Sequence, residues 1–169
     1  MVRRYRRSYR SGNRDKYSIE NTVTVTPSNI QNWDLIEGSD INPQSRQFRV
    51  QIVTPSPTEG MRKVKHLTLS FSGQTEAKIF YAIVYVPAGY EPNSLNLPLS
   101  GGSVSLYEPN QYVMSSGVLD FQGGPLRIRS PLSRNLNSGD SIALVMATDS
   151  ELTSSYSIAI NTTYAITLQ

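Results

Sequence analysis

In the closing segment SYSIAINTTYAITLQ, Tyr156, Ile158, Ile160, Thr162, Tyr164, Ile166 and Leu168 alternate with small or polar side chains over thirteen positions. A strand turns successive side chains to opposite faces, whereas a helix repeats every 3.6 residues, so this segment reads as a half-buried strand. The same period recurs along the chain. Tyr17, Ile19, Val23 and Val25 fall on one face of a first strand and Ser18, Glu20, Thr22, Thr24 and Thr26 on the other, with Pro27 ending it. RQFRVQIVT sets Phe48, Val50 and Ile52 inward, and KVKHLTLSFS sets Leu67, Leu69 and Phe71 on one face. AKIFYAIVYVP is apolar on both faces, which predicts either a central strand covered twice or one lying against a neighbouring subunit. SVSLY, GVLDF, PLRIRS and SIALVMA are shorter strand candidates. No stretch of eleven residues or more carries a helical period; a turn of helix is expected only around Trp33.

Glycines and prolines fall between these segments, as strand connections require. The chain is therefore expected to be all-β, with residues 17–169 forming one domain. An immunoglobulin-type Greek key would need only about 100 residues. A body of about 150 with long connections, such as 86–102 and 149–155, fits an eight-stranded antiparallel jelly-roll sandwich better.

The first sixteen residues follow another rule. Arg3, Arg4, Arg6, Arg7, Arg10, Arg14 and Lys16 stand against the single acid Asp15, a net +6. The remaining nine basic and twelve acidic residues sum to −3, and the two parts give the chain its +3. So much charge with so little apolar area cannot offset the entropy of ordering, so residues 1–16 read as a disordered arm. A cationic leader on an acidic body points to a polyanion as the leader's partner. Arginine forks bind phosphate oxygens bidentately, and Tyr5 and Tyr9 offer flat faces to unpaired bases. Seven phosphate contacts would give log K a salt slope of about −5 on a single strand. A flexible arm holds no fixed geometry for base edges, so the expected binding is non-specific. The candidate nucleic-acid-binding set is Arg3, Arg4, Tyr5, Arg6, Arg7, Tyr9, Arg10, Arg14 and Lys16. The same cluster suits a nuclear import receptor.

Other chemistry finds little footing. With no cysteine there is neither a disulfide framework nor a thiolate metal site, which favours an intracellular origin. The acids are scattered singly, so no metal site and no cofactor are expected. The one histidine, His66, sits in a strand beside no evident nucleophile and reads as a strand-surface or interface residue rather than part of a triad. Phosphate-loop, GxGxxG and GxSxG patterns are absent, so no enzymatic activity is expected. No apolar run approaches the ~20 residues of a membrane span, so no membrane insertion is expected. Ten tyrosines, GVLDF and IFYAIVYV suit self-association. A lone +6 arm is easily displaced by salt, whereas many copies on one assembly bind multivalently.

An Arg-rich start leading into such a strand pattern resembles the capsid proteins of circovirus-like, Rep-encoding circular single-stranded DNA viruses. The likeness is clearest from Leu106 to Met146, where Arg134-Asn135-Leu136 and Gly139-Asp140 precede the apolar strand Ser141–Ala147. Residues 27–100 match by strand pattern alone. The resemblance implies a jelly-roll subunit that assembles into a small icosahedral shell of about sixty copies. It also implies an arm facing a single-stranded DNA genome, with location in the virion and, during assembly, the host nucleus. Family arms are often longer and more basic. Here about sixty arms would bring about 360 net charges against one phosphate per nucleotide. Counterions, or body residues such as Arg46, Arg49, Lys63 and Lys65, would supply the rest. The competing reading is a cellular β-sandwich module that binds carbohydrate or single-stranded nucleic acid and carries a basic targeting arm.

Overall fold

The computed structural model describes residues 17–27, 33–35, 46–73, 78–92, 112–131, 133–148 and 157–168. Among them are ten strand segments: β1 (Ser18–Val25), β2 (Asp34–Leu35), β3 (Arg46–Val53), β4 (Arg62–Ser72), β5 (Ile79–Val86), β6 (Tyr112–Leu119), β7 (Leu126–Arg129), β8 (Arg134–Leu136), β9 (Ser141–Thr148) and β10 (Ala159–Leu168). They form two antiparallel sheets. The first runs β1-β10-β4, with both β7 and β8 paired to the far edge of β4; the second runs β2-β3-β9-β5-β6. The all-β expectation holds. The strand count exceeds the expected eight because β2 adds a two-residue pairing and β7 and β8 are separate segments. Of the segment around Trp33 where a turn of helix is expected, only 33–35 are described, and there Asp34 and Leu35 pair with Gln47 and Arg46; the rest lies outside the described residues. SVSLY, 93–102 of the long connection 86–102, and 149–155 lie outside the described residues.

The core lies between the sheets. Val64, Leu67, Leu69 and Phe71 of β4 and Ile158 and Ile160 at the start of β10 meet Ile79, Tyr81 and Ile83 of β5 and Ile142, Leu144 and Met146 of β9. The Phe71 and Tyr81 rings lie 6.5 Å apart. The other face of β5 and β9 is also buried: Ala82, Val84, Val86, Ala143, Val145 and Ala147 form a second apolar cluster. This explains why IFYAIVYV and SIALVM do not alternate. Both strands are central and covered twice, and the single chain does the covering. The alternative placement of β5 against a neighbouring subunit is thereby removed.

β1 has its period but the opposite facing. Thr24 pairs with Ile160, Thr22 with Thr162, Glu20 with Tyr164 and Ser18 with Ile166, so the even-numbered residues share the core side. Ile19, Val23 and Val25 point outward and are 75%, 65% and 58% exposed. A two-residue period is satisfied by either facing, and the partner strand selects one. Buried Thr26 sets that choice. Its Oγ1 accepts from the Ile158 N–H at 2.9 Å, and its own N–H donates to the Ile158 carbonyl at 3.0 Å.

Candidate nucleic-acid interface

Arg3, Arg4, Tyr5, Arg6, Arg7, Tyr9, Arg10, Arg14 and Lys16 all lie outside the described residues. What the structure places is the point where the arm joins the body. Tyr17 leads into β1, an edge strand of the first sheet, and the Lys65 ammonium sits 4.8 Å from the centre of its ring.

The nine body cations divide by location. Arg62 is buried, donating to the Thr54 carbonyl at 3.0 Å and the Asp140 carbonyl at 2.8 Å. Arg134 stacks on two rings, its guanidinium carbon 4.3 Å from the centre of Tyr85 and 5.4 Å from that of Tyr112. Arg46 and Arg49 belong to the second sheet, where they donate to the carbonyls of Trp33 and Pro92, both at 3.1 Å. They are therefore not on the same surface as Lys63 and Lys65. Lys78 is exposed just before β5. The remaining four, Lys63, Lys65, Arg127 and Arg129, share the outer face of the first sheet.

Strand pairing establishes that shared face. Directly opposed residues in an antiparallel pair point the same way. Arg129 opposes Thr68 and Arg127 opposes Ser70, while Ile128 and Leu126 oppose the core residues Leu69 and Phe71. Lys63 and Lys65 flank buried Val64 and so also point outward. Odd-numbered lysines and even-numbered Thr68 and Ser70 can share a face only if the strand gains a residue between them. It does. The β4–β10 register shifts between Thr163 and Ala165, with Thr68 and Lys65 as their partners. His66 lies in that interval, exposed and with φ 55. A bulge of this kind bends the strand and re-aims its side chains.

The rest of the face is made of hydrogen-bonding and apolar side chains. Ser70, Ser72, Asn161, Thr163 and Asn135 surround the cations, and Ile19, Val23 and Val25 border them on β1. Among the described residues no acid occupies an outward position of this sheet. Glu20 has the core-side parity of β1, Asp140 is buried, and Glu59, Glu91 and Asp120 lie in connections. No three described His, Cys, Asp or Glu residues converge as a metal site would require, and no described helix is long and apolar enough to cross a membrane.

No family model matches the chain, and no curated protein matches it in sequence. Among solved structures, an aminopeptidase from the marine sediment archaeon Thaumarchaeota archaeon shares 13% identity over 91% of this chain, with a TM-score of 0.31. The chain spans 33% of that protein's length. An overlap this loose leaves the architecture to be read from the strand pairing alone.

The sequence named Lys63 and Lys65 but missed Arg127 and Arg129. Their signal was present in PLRIRS, where the two arginines occupy the polar face of an alternating strand. Their neighbours were not readable, because the partner strand β4 is distant in the chain and the bulge at His66 resets its parity.

Proposed function

We propose that the chain is a capsid protein, a jelly-roll subunit that self-assembles into a small closed shell and packages single-stranded DNA through its N-terminal arm. The observation that supports this most is the nesting of strand pairs. β1 pairs with β10, β3 with β9, β4 with β7 and β8, and β5 with β6: first with last, and so inward to the middle. A long antiparallel ribbon rolled on itself has that pairing, and a jelly roll is its eight-strand form. On this reading β7 and β8 are two halves of one strand and β2 is a short extension. The arm enters the roll at its outermost pair, at the edge of the sheet that carries the basic face. It can therefore reach a polyanion on that side without disturbing the sandwich. Closed symmetry then turns one weak contact into a stable shell and multiplies the arms that hold the genome. Entry of the cationic arm into a nuclear import route would bring the subunit to the site of assembly.

Electron microscopy of the purified full-length protein tests the reading. Rings of uniform diameter are expected, and a persistent monomer at high concentration overturns it. Replacing the six arm arginines with serine should leave particles that form but carry little nucleic acid, seen as a fall in the 260/280 nm absorbance ratio. Particles that retain their nucleic acid would show that the arm's role is misassigned.

A further inference from the structure

We infer that the outer face of the first sheet is itself a track for the phosphates of single-stranded DNA, acting beside the arm and not through it. The choice of DNA as partner rests on the packaging reading; the track rests on the geometry of the body. Along the direction of β4 the cations follow one another: Lys63, Lys65, then Arg129 beside Thr68 and Arg127 beside Ser70. About six strand steps at ~3.4 Å each make this row about 20 Å long. Asn161, Thr163, Ser70 and Ser72 flank it with the neutral donors that commonly accompany phosphate and sugar contacts.

Composition argues against an incidental charge cluster. The body carries a net −3, yet this face holds four cations and, among its described residues, no carboxylate. Soluble surfaces intersperse both signs, and like charges on adjacent strands repel. The bulge sharpens the point. Without the extra residue at His66, Lys63 and Lys65 would lie on the sheet face opposite to Arg127 and Arg129. The fold places a non-glycine residue in the sparsely used left-handed region, and with it gathers the four cations on one side. An acidic protein partner would match the sign but would also need apolar anchors among the cations. The apolar side chains of this face, Ile19, Val23 and Val25, lie on β1, with β10 between them and β4, and the one ring at a cation, Tyr17 on Lys65, offers a flat face that an unpaired base also uses.

The test uses the full chain with Lys63, Lys65, Arg127 and Arg129 all replaced by serine, beside a second variant with Lys63→Arg, Lys65→Arg, Arg127→Lys and Arg129→Lys. Binding of fluorescent oligo-dT is followed by anisotropy across a potassium chloride series, at protein concentrations below assembly. Four lost contacts at ~0.7 each should lower the magnitude of the salt slope by about 3, while the charge-conserving variant keeps it. A slope unchanged in a serine variant that melts like the parent overturns the inference. So does tight binding to phosphatidylserine vesicles that the serine substitutions abolish while oligo-dT binding stands. Should the serine variant fail to fold, the same slope is measured on the Arg127→Ser, Arg129→Ser pair, for which a drop of about 1.4 is expected and no drop overturns the track. Micrographs of the parent separate this from the shell: a slope change in a protein that never forms particles leaves the track standing and the capsid reading fallen.

Discussion

The Tyr85 hydroxyl donates to Asp140 Oδ2 at 2.8 Å, a bond between residues 55 apart in the chain. Asp140 is buried, and its carboxylate also accepts the N–H of Asn137 at 2.7 Å and that of Ala88 at 3.0 Å. Three donors on two oxygens leave no place for an amide –NH2, which would face one of them. Asp140→Asn is therefore expected to lower stability by about 2–3 kcal/mol. Tyr85→Phe removes one donor of three and should cost about 1 kcal/mol. Urea midpoints at unchanged m-value check both. Equal losses would mean that Tyr85 alone holds the carboxylate.

Alkaline titration reads the same contact. Burial, then the hydrogen bond to Asp140 and the negative charge behind it, push Tyr85 from 10.0 up to about 12. Burial likewise raises Tyr164. Because the folded value of Tyr85 lies above the unfolded one, its contribution is fully present below pH 10 and is lost as the pH climbs from about 10 to about 12. Absorbance at 295 nm should show late-ionising tyrosine in the folded protein. Asp140→Asn should bring Tyr85 part of the way back, since burial remains while the other two main causes go. A Tyr85 that titrates near 10 in the parent would contradict the geometry.

Two glycines with one backbone angle separate strain from crowding. Gly89 and Gly139 both have φ 82. A Cβ at Gly89 meets nothing within 4 Å, but at Gly139 it would stand 2.8 Å from the Ala88 Cβ. Gly89→Ala should cost about 1 kcal/mol, the left-handed penalty alone. Gly139→Ala adds a steric clash beside the Asp140 turn and should cost at least 1–3 kcal/mol more, by analogy with overpacking. Thermal melts of the two variants give the difference, and equal shifts would refute the crowding.

β1 shows where the sequence could be read and where it could not. Its period, its start and its end at Thr26-Pro27 were legible, but its facing depends on β10, more than a hundred residues away. The segment Arg134–Asp140 was legible as a distinctive pattern, but its structural work was not, because Tyr85, Ala88 and Tyr112 complete it from elsewhere. The twofold burial of β5 was legible, since a run apolar on both faces has few other placements. For β1 the structural facing makes a direct prediction. Ile19→Thr, Val23→Thr and Val25→Thr should each change monomer stability by less than about 0.5 kcal/mol, whereas Ile160→Ala, in the core, should cost about 2–5 kcal/mol. Losses near 2 kcal/mol at Val23 would restore the inward facing that alternation alone suggests.

The bulge at His66 is open to a direct test of its backbone. Histidine tolerates φ 55 better than a β-branched residue does, and glycine adopts it without a Cβ penalty. The His66 side chain is exposed, so the imidazole itself is expected to add little to stability. His66→Gly should therefore stay within about 1 kcal/mol of the parent, its relief of strain opposed by a more flexible unfolded chain. His66→Val should lose about 1–2 kcal/mol. The salt slope for oligo-dT gives the second readout. His66→Gly keeps the extra residue and with it the common face of Lys65 and Arg129, so the slope should match the parent. Deleting residue 66 removes the parity shift and turns either the lysines or the core residues Leu67, Leu69 and Phe71 to the wrong side. That variant should be strongly destabilised. If it melts with the parent instead, β4 does not need the bulge and the common face of the four cations has another origin.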